Sequence, residues 1–102
     1  MAKQHFFVRL IPPRPTFVQD ITECEQKLMA QHSDYVRRFF DAGGVLAYGP
    51  VLDPNGLFGF AVVEMEEQEA KAFVEGDPAV RGRLMNYTIS PMRLAGAQAS
   101  RL

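Results

Sequence analysis

The chain has one cysteine, two histidines and a formal net charge of only −1 at pH 7. Each shortage excludes something. A lone Cys24 cannot close an internal disulfide, so the core must hold the fold, and a reducing, cytoplasmic location is the expectation. The missing basic excess argues against a nucleic-acid surface. No apolar run approaches the roughly 20 residues that span a bilayer. The opening Met1-Ala2-Lys3-Gln4-His5 has no signal-peptide pattern. Gly43-Gly44 is too short for a phosphate-cradling loop. His5 and His32, with the carboxylates near them, do not have the spacing of a metal site. The reading therefore expects no metal, no cofactor, no nucleic-acid partner and no membrane partner.

What is present is a chain of 102 residues, 47% of them hydrophobic, the size and composition of a single domain. His5 to Ile11 is rich in aromatic and β-branched residues and predicts a strand ended by Pro12-Pro13. Pro12-Pro13-Arg14-Pro15 is expected to be extended. Thr22-Glu23-Cys24-Glu25 has the capping-box pattern and opens a long helix to about Ala42. Its inner stripe is read as Cys24, Leu28, Gln31/His32, Tyr35, Phe39 and Ala42. Gly43-Gly44 ends it. Val45 to Leu52 and Phe58 to Met65 read as a hairpin around the turn Asp53-Pro54-Asn55-Gly56. Glu66 to Glu75 reads as a short helix with Ala70, Phe73 and Val74 inward. Asp77-Pro78 reads as a second helix cap with proline at the first helical position. Asn86 to Leu94 is the last strand. Residues 1–94 make one domain and 95–102 a loose tail.

The order βαββαβ is that of the ferredoxin-like α+β fold, one antiparallel four-stranded sheet with both helices on one face. Phe58 to Val63 and Val45 to Tyr48 are apolar on both faces of their strands. An uncovered apolar sheet face usually marks an interface, so a homodimer packed through that face is expected.

The chemistry rests on few residues. His32 is the candidate general acid or base, since imidazole exchanges protons near neutral pH. The plain alternative is a core-edge histidine bonded to a carbonyl. Asp77 could orient that imidazole, or simply cap the helix that follows. Tyr48-Gly49-Pro50 interrupts a strand at an edge or a bulge, where a ligand could approach the backbone. Arg14 reads first as a solvated charge on a stiff loop, and as a candidate cation that could clamp an anionic substrate. Ser33 and Cys24 have no activating motif.

These pieces together resemble the YCII-related (YciI-like) family. The resemblance is carried by His32 followed by Tyr35, by Gly49-Pro50-Val51-Leu52 with Asp53, by Asp77-Pro78, and by Ile89-Ser90-Pro91-Met92, in this order from about Phe6 to Met92. It implies a ferredoxin-like fold dimerising as an α/β barrel. It also implies that His32 and Asp77 meet in a cleft as an acid/base dyad. Around that pair, Tyr35, Tyr48, Gly49, Pro50 and Arg14 are expected to bind a small-molecule ligand. Similar dimeric α/β-barrel families include isomerases, monooxygenases and dehydrochlorinases. The expected activity is thus cofactor-free isomerisation or elimination on a small organic substrate. The alternative is a non-catalytic binding or assembly module in which His32 and Asp77 are structural. Two departures stand out: many relatives have an aromatic residue where this chain has Ala79, and the loop from Leu10 to Phe17 is longer than in the shortest relatives.

Overall fold

The computed structural model describes residues 2–98. The chain runs β1 (Gln4–Ile11), α1 (Phe17–Asp20), α2 (Glu23–Asp41), β2 (Val45–Val51), β3 (Phe58–Met65), α3 (Glu67–Glu75), α4 (Pro78–Arg81) and β4 (Asn86–Met92). The strands form one sheet in the order β2-β3-β1-β4, every neighbouring pair antiparallel. This is the expected ferredoxin-like α+β arrangement. Residues 95–98 are neither helix nor strand, and the rest of the expected tail lies outside the described residues.

Local chemistry explains the long helix. Glu25 N–H donates to Thr22 Oγ1 at 3.2 Å while Thr22 N–H donates to Glu25 Oε1 at 2.9 Å, which completes the capping box. At the other end Gly43 takes φ 92°, and Gly43 and Gly44 N–H donate to Phe40 and Phe39 carbonyls at 3.1 and 3.0 Å. That is a left-handed glycine stop. The inner stripe is rotated from the expected one. Val36 is buried, and Leu28, Met29, His32, Tyr35 and Phe39 are half-buried, but Cys24, Gln31 and Ala42 are exposed. The first turn faces the protein through Glu25, which bonds Arg14, and this turns Cys24 outward.

The segment after β1 also differs from expectation. Pro12 to Pro15 bends rather than runs extended, and a single helical turn follows, with Gln19 and Asp20 N–H donating to Thr16 O at 2.8 and 3.0 Å. One turn is too short to leave a 3.6-residue period in the sequence.

The alternation of β1 sorts the sheet faces. Phe6, Val8 and Leu10 point to the helices, opposite Val63, Ala61 and Gly59. On that side Tyr35, Phe39 and Phe73 form an aromatic triad with centroids 4.7 to 5.7 Å apart, which ties α2 to α3. Such ring pairs are worth about 0.5–1.5 kcal/mol each beyond their buried area. The outer face carries Phe7, Phe60 and Val62 toward β2, and exposed Asn86, Thr88 and Ser90 along β4. It is therefore apolar over only part of its width. Both strand prolines sit on edges, Pro50 on β2 and Pro91 on β4, where a missing N–H breaks no ladder. The bulge in β2 lies at Leu46, between Val45 and Ala47, rather than at Pro50.

Candidate functional site

Two glycines let the α3–α4 corner approach α2. A Cβ on Gly76 would lie 2.7 Å from Tyr35 Oη, and one on Gly82 would lie 2.9 Å from Leu28 Cδ2. Neither position has room for a larger residue unless its neighbour moves. The close approach delivers Asp77, the residue after Gly76, to the middle of α2. His32 Nδ1 lies 2.7 Å from Asp77 Oδ2, across 45 positions of chain. Ala79 N–H donates to Asp77 Oδ1 at 2.9 Å, the N-cap bond of α4. Both carboxylate oxygens are thus occupied, although Asp77 is only 3% exposed. A carboxylate offers only acceptors, so Nδ1 carries the proton of that bond, and in neutral imidazole Nε2 keeps its lone pair. Among the described residues no hydrogen bond is made by Nε2, and the ring lines a cavity.

That cavity, of about 490 Å³, lies between the inner face of the sheet and α2. It falls at the seam of two hydrophobic clusters. One is built on Phe6, Val8, Val36, Ala61, Val63 and Phe73, and the other on Leu10, Phe17, Ala79, Leu84 and Met85. Interiors are normally close-packed, so a space of this size at a seam is a pocket rather than a packing fault. Gly59 and Ala61 leave room above the sheet. Met29, His32, Ser33 and Val36 form the α2 wall, and Pro12, Phe17, Val18 and Ile21 close one end. The long loop after β1 is therefore a wall of the cavity.

Not all of the residues expected at the site meet there. His32, Asp77, Tyr48, Gly49 and Pro50 all line the cavity. Tyr48 is opposite Ala61 in the sheet and meets Phe40 of α2 edge-on, centroids 5.4 Å apart. Tyr35 is not in the lining. Its hydroxyl donates to Phe73 O at 2.8 Å, and burial, with the nearby Asp77 charge, pushes its pKa up. Arg14 is not there either, and the clamp reading is corrected. Its Nε donates to Asp20 Oδ1 at 2.6 Å, and its terminal nitrogens donate to both Glu25 oxygens at 2.8 and 2.7 Å and to Asp20 O at 3.1 Å. The partners hold the guanidinium pKa above its ordinary value and push Glu25 down to about 2, Arg14 being the largest cause and Thr22 N–H the next. Arg14 is a clasp between α1 and the start of α2. Ala79 is fully buried in the second cluster rather than on the cavity wall, so its departure from the relatives alters packing under α4.

Sequence reasoning missed Met29, Val36 and the wall formed by Phe17, Val18 and Ile21. The α2 pair was legible as apolar residues one position off the assumed stripe. The third group depends on a turn too short to announce itself. Among the described residues no three His, Cys, Asp or Glu side chains gather as a set that could hold a metal ion, and no helix is long and apolar enough to cross a membrane.

Sheet order, helix placement and cavity define a ferredoxin-like α+β domain with a His–Asp pair in a pocket between sheet and helix. The chain belongs to the YCII-related domain family, which matches residues 5–93. Among solved structures it is similar to the 5-chloro-2-hydroxyhydroquinone dehydrochlorinase TftG from Burkholderia phenoliruptrix AC1100, in complex with 2,5-dihydroxybenzoquinone. That likeness has a TM-score of 0.63 at 21% identity and covers 86% of this chain and 93% of that one. It is also similar to the uncharacterized protein TM1266 from Thermotoga maritima, with a TM-score of 0.58 at 14% identity, covering 90% of this chain and all of that one. At these identities the likenesses establish the fold. No curated protein sequence matches the chain.

Proposed function

We propose that this protein is a cofactor-free acid/base enzyme acting on a small organic molecule by elimination or isomerisation, with His32 as the proton-transfer group and Asp77 as its positioning residue. The observation that carries the reading is the 2.7 Å bond from His32 Nδ1 to Asp77, both of them residues that line the cavity. In this reading Nε2 takes a proton from a substrate hydroxyl or activated C–H. The Asp77 carboxylate stabilises the imidazolium that forms. In an elimination the released electron pair forms a double bond and expels a leaving group such as chloride. In an isomerisation His32 returns the proton to a different atom. Tyr48 and the Gly49-Pro50 backbone complete the pocket. One positioned acid/base group contributes about 10²–10⁴ in rate, which suits an already activated substrate. The fold shared with a dehydrochlorinase supports elimination as the first chemistry to test.

The second reading is a binding module without turnover. It is favoured by the Ala79 N–H bond, which gives Asp77 a structural task of its own. We also propose a homodimer through the outer sheet face, on the strength of Phe7, Phe60 and Val62 lying together there. Light scattering on wild type and Val62→Glu checks it: a dimer that the variant splits supports the interface, and a wild-type monomer removes it.

The activity is tested by a thermal-shift screen of small cyclic acids, lactones and chlorinated phenols against wild type and His32→Ala. A compound that stabilises wild type, loses its effect in a folded His32→Ala, and is then turned over by wild type supports the enzyme. If His32→Ala only lowers the melting temperature and no compound shifts wild type, the enzyme reading falls.

A further inference from the structure

We infer that the cavity takes an uncharged, mainly apolar molecule larger than one ring, presenting a single weakly acidic hydroxyl to His32. The inference rests on the acid/base reading of His32 and specifies the substrate class.

Three observations carry it. First, among the described residues no lysine, arginine or glutamate lines the cavity, and Asp77 is the one carboxylate. An anionic ligand would be desolvated there with no cation to pair it, which is costly. Arg14, on the loop that closes one end, has its donors committed to Asp20 and Glu25, and Arg9, between Val8 and Leu10, lies over the Phe58 ring. Second, the walls are apolar apart from Ser33, Tyr48 and the His32–Asp77 pair, and of these the pair alone joins an acid to a base, so the ligand's proton-exchanging group meets His32 and the rest of it must be mainly apolar. Third, an apolar cavity of about 150 Å³ already accommodates a benzene, and this one is about 490 Å³. A single ring would leave most of the wall without contacts, and lost contacts are lost affinity.

The loop wall sets the far boundary. Val18 lines the cavity yet is 58% exposed, which places it at the rim. A lysine at that position would supply the cation the pocket lacks without entering the core.

The test measures the affinities of 2-naphthol, phenol and 2-naphthoate calorimetrically for wild type, His32→Ala and Val18→Lys. For wild type, 2-naphthol should bind about tenfold or more tighter than phenol, since the second ring buries further apolar surface, and tighter than 2-naphthoate by at least as much. His32→Ala should weaken 2-naphthol, and Val18→Lys should strengthen 2-naphthoate. If phenol or 2-naphthoate binds wild type as well as 2-naphthol does, and His32→Ala weakens that ligand, the substrate class is overturned while the acid/base site stands. If Val18→Lys gains nothing for 2-naphthoate, the charge argument is overturned. If none of the probes binds wild type, or His32→Ala leaves every affinity unchanged, the inference fails together with the reading it rests on.

Discussion

Two nitrogen–carboxylate contacts hold the elements around the cavity, and their geometry is nearly the same. His32 Nδ1 lies 2.7 Å from Asp77, and Arg14 lies 2.6 to 2.8 Å from Asp20 and Glu25. They differ in what each side chain has left over. Arg14 spends its guanidinium on two carboxylates and a carbonyl, so it stitches the wall to α2 and has nothing to offer a ligand. His32 spends one nitrogen on Asp77, and its other nitrogen makes no hydrogen bond among the described residues. Distance alone would have ranked the two together. The spare nitrogen, with the burial of its partner carboxylate at 4% side-chain exposure, is what separates this pair from the clasp.

The comparison breaks most sharply at Asp77, whose two oxygens do different work. Asp77→Asn keeps an oxygen for Ala79 N–H but turns an amide toward Nδ1, which drives the imidazole to the tautomer with its proton on Nε2. Turnover of any substrate found should fall by about 10²–10⁴, as for His32→Ala, with the melting temperature little changed. Asp77→Ala also removes the cap and should lose about 1–2 kcal/mol of stability in urea unfolding. Equal turnover in wild type and Asp77→Asn would return Asp77 to a purely capping role.

A smaller effect is expected at the corner that delivers Asp77. Gly76→Ala puts a Cβ 2.7 Å from Tyr35 Oη, so the hydroxyl must leave Phe73 O or α3 must shift. Overpacking of this kind costs about 1–3 kcal/mol. Gly76→Ala combined with Tyr35→Phe should recover part of the loss, because the clashing oxygen is gone. No recovery would mean the helix backbone, through Ala72 O at 3.1 Å, sets the cost.

The smallest effect belongs to the clasp and is read against pH. Glu25 is held at about 2 in the folded chain against an ordinary 4.5. A lowered folded pKa means the contribution is fully present above about 4.5 and is lost as pH falls toward about 2. The clasp should therefore weaken only in acid. Urea midpoints of wild type should drop more steeply than those of Glu25→Gln across that window and run parallel to them near neutrality. Parallel curves throughout would show that Arg14 does not hold the wall.

Much of this was legible in the residues. The capping box at Thr22, the glycine stop at Gly43-Gly44 and the inward Ala70, Phe73 and Val74 follow from local chemistry. Local chemistry acts over a few residues and leaves a local pattern. His32 and Asp77 could be singled out as residue types in suggestive settings. Their contact spans 45 positions and depends on two glycines whose need for space exists only in three dimensions. Arg14 was misread for the same reason. Its partners Asp20 and Glu25 are brought to it by a single turn with no period, so a charge on a proline-stiffened loop looked free. Tyr35 was misassigned because a helix stripe shows which side faces inward, not whether that side meets a cavity or a carbonyl.

The most direct test is the tautomer of His32, read by long-range ¹H–¹⁵N correlation NMR at a pH where the ring is neutral, with and without 2-naphthol. The predicted result is a proton on Nδ1, bonded to Asp77, and an unprotonated Nε2 whose shift moves when the ligand binds. A proton on Nε2, or an Nε2 resonance indifferent to every ligand that binds, would contradict a proton-accepting edge on the cavity and leave His32 and Asp77 as scaffold.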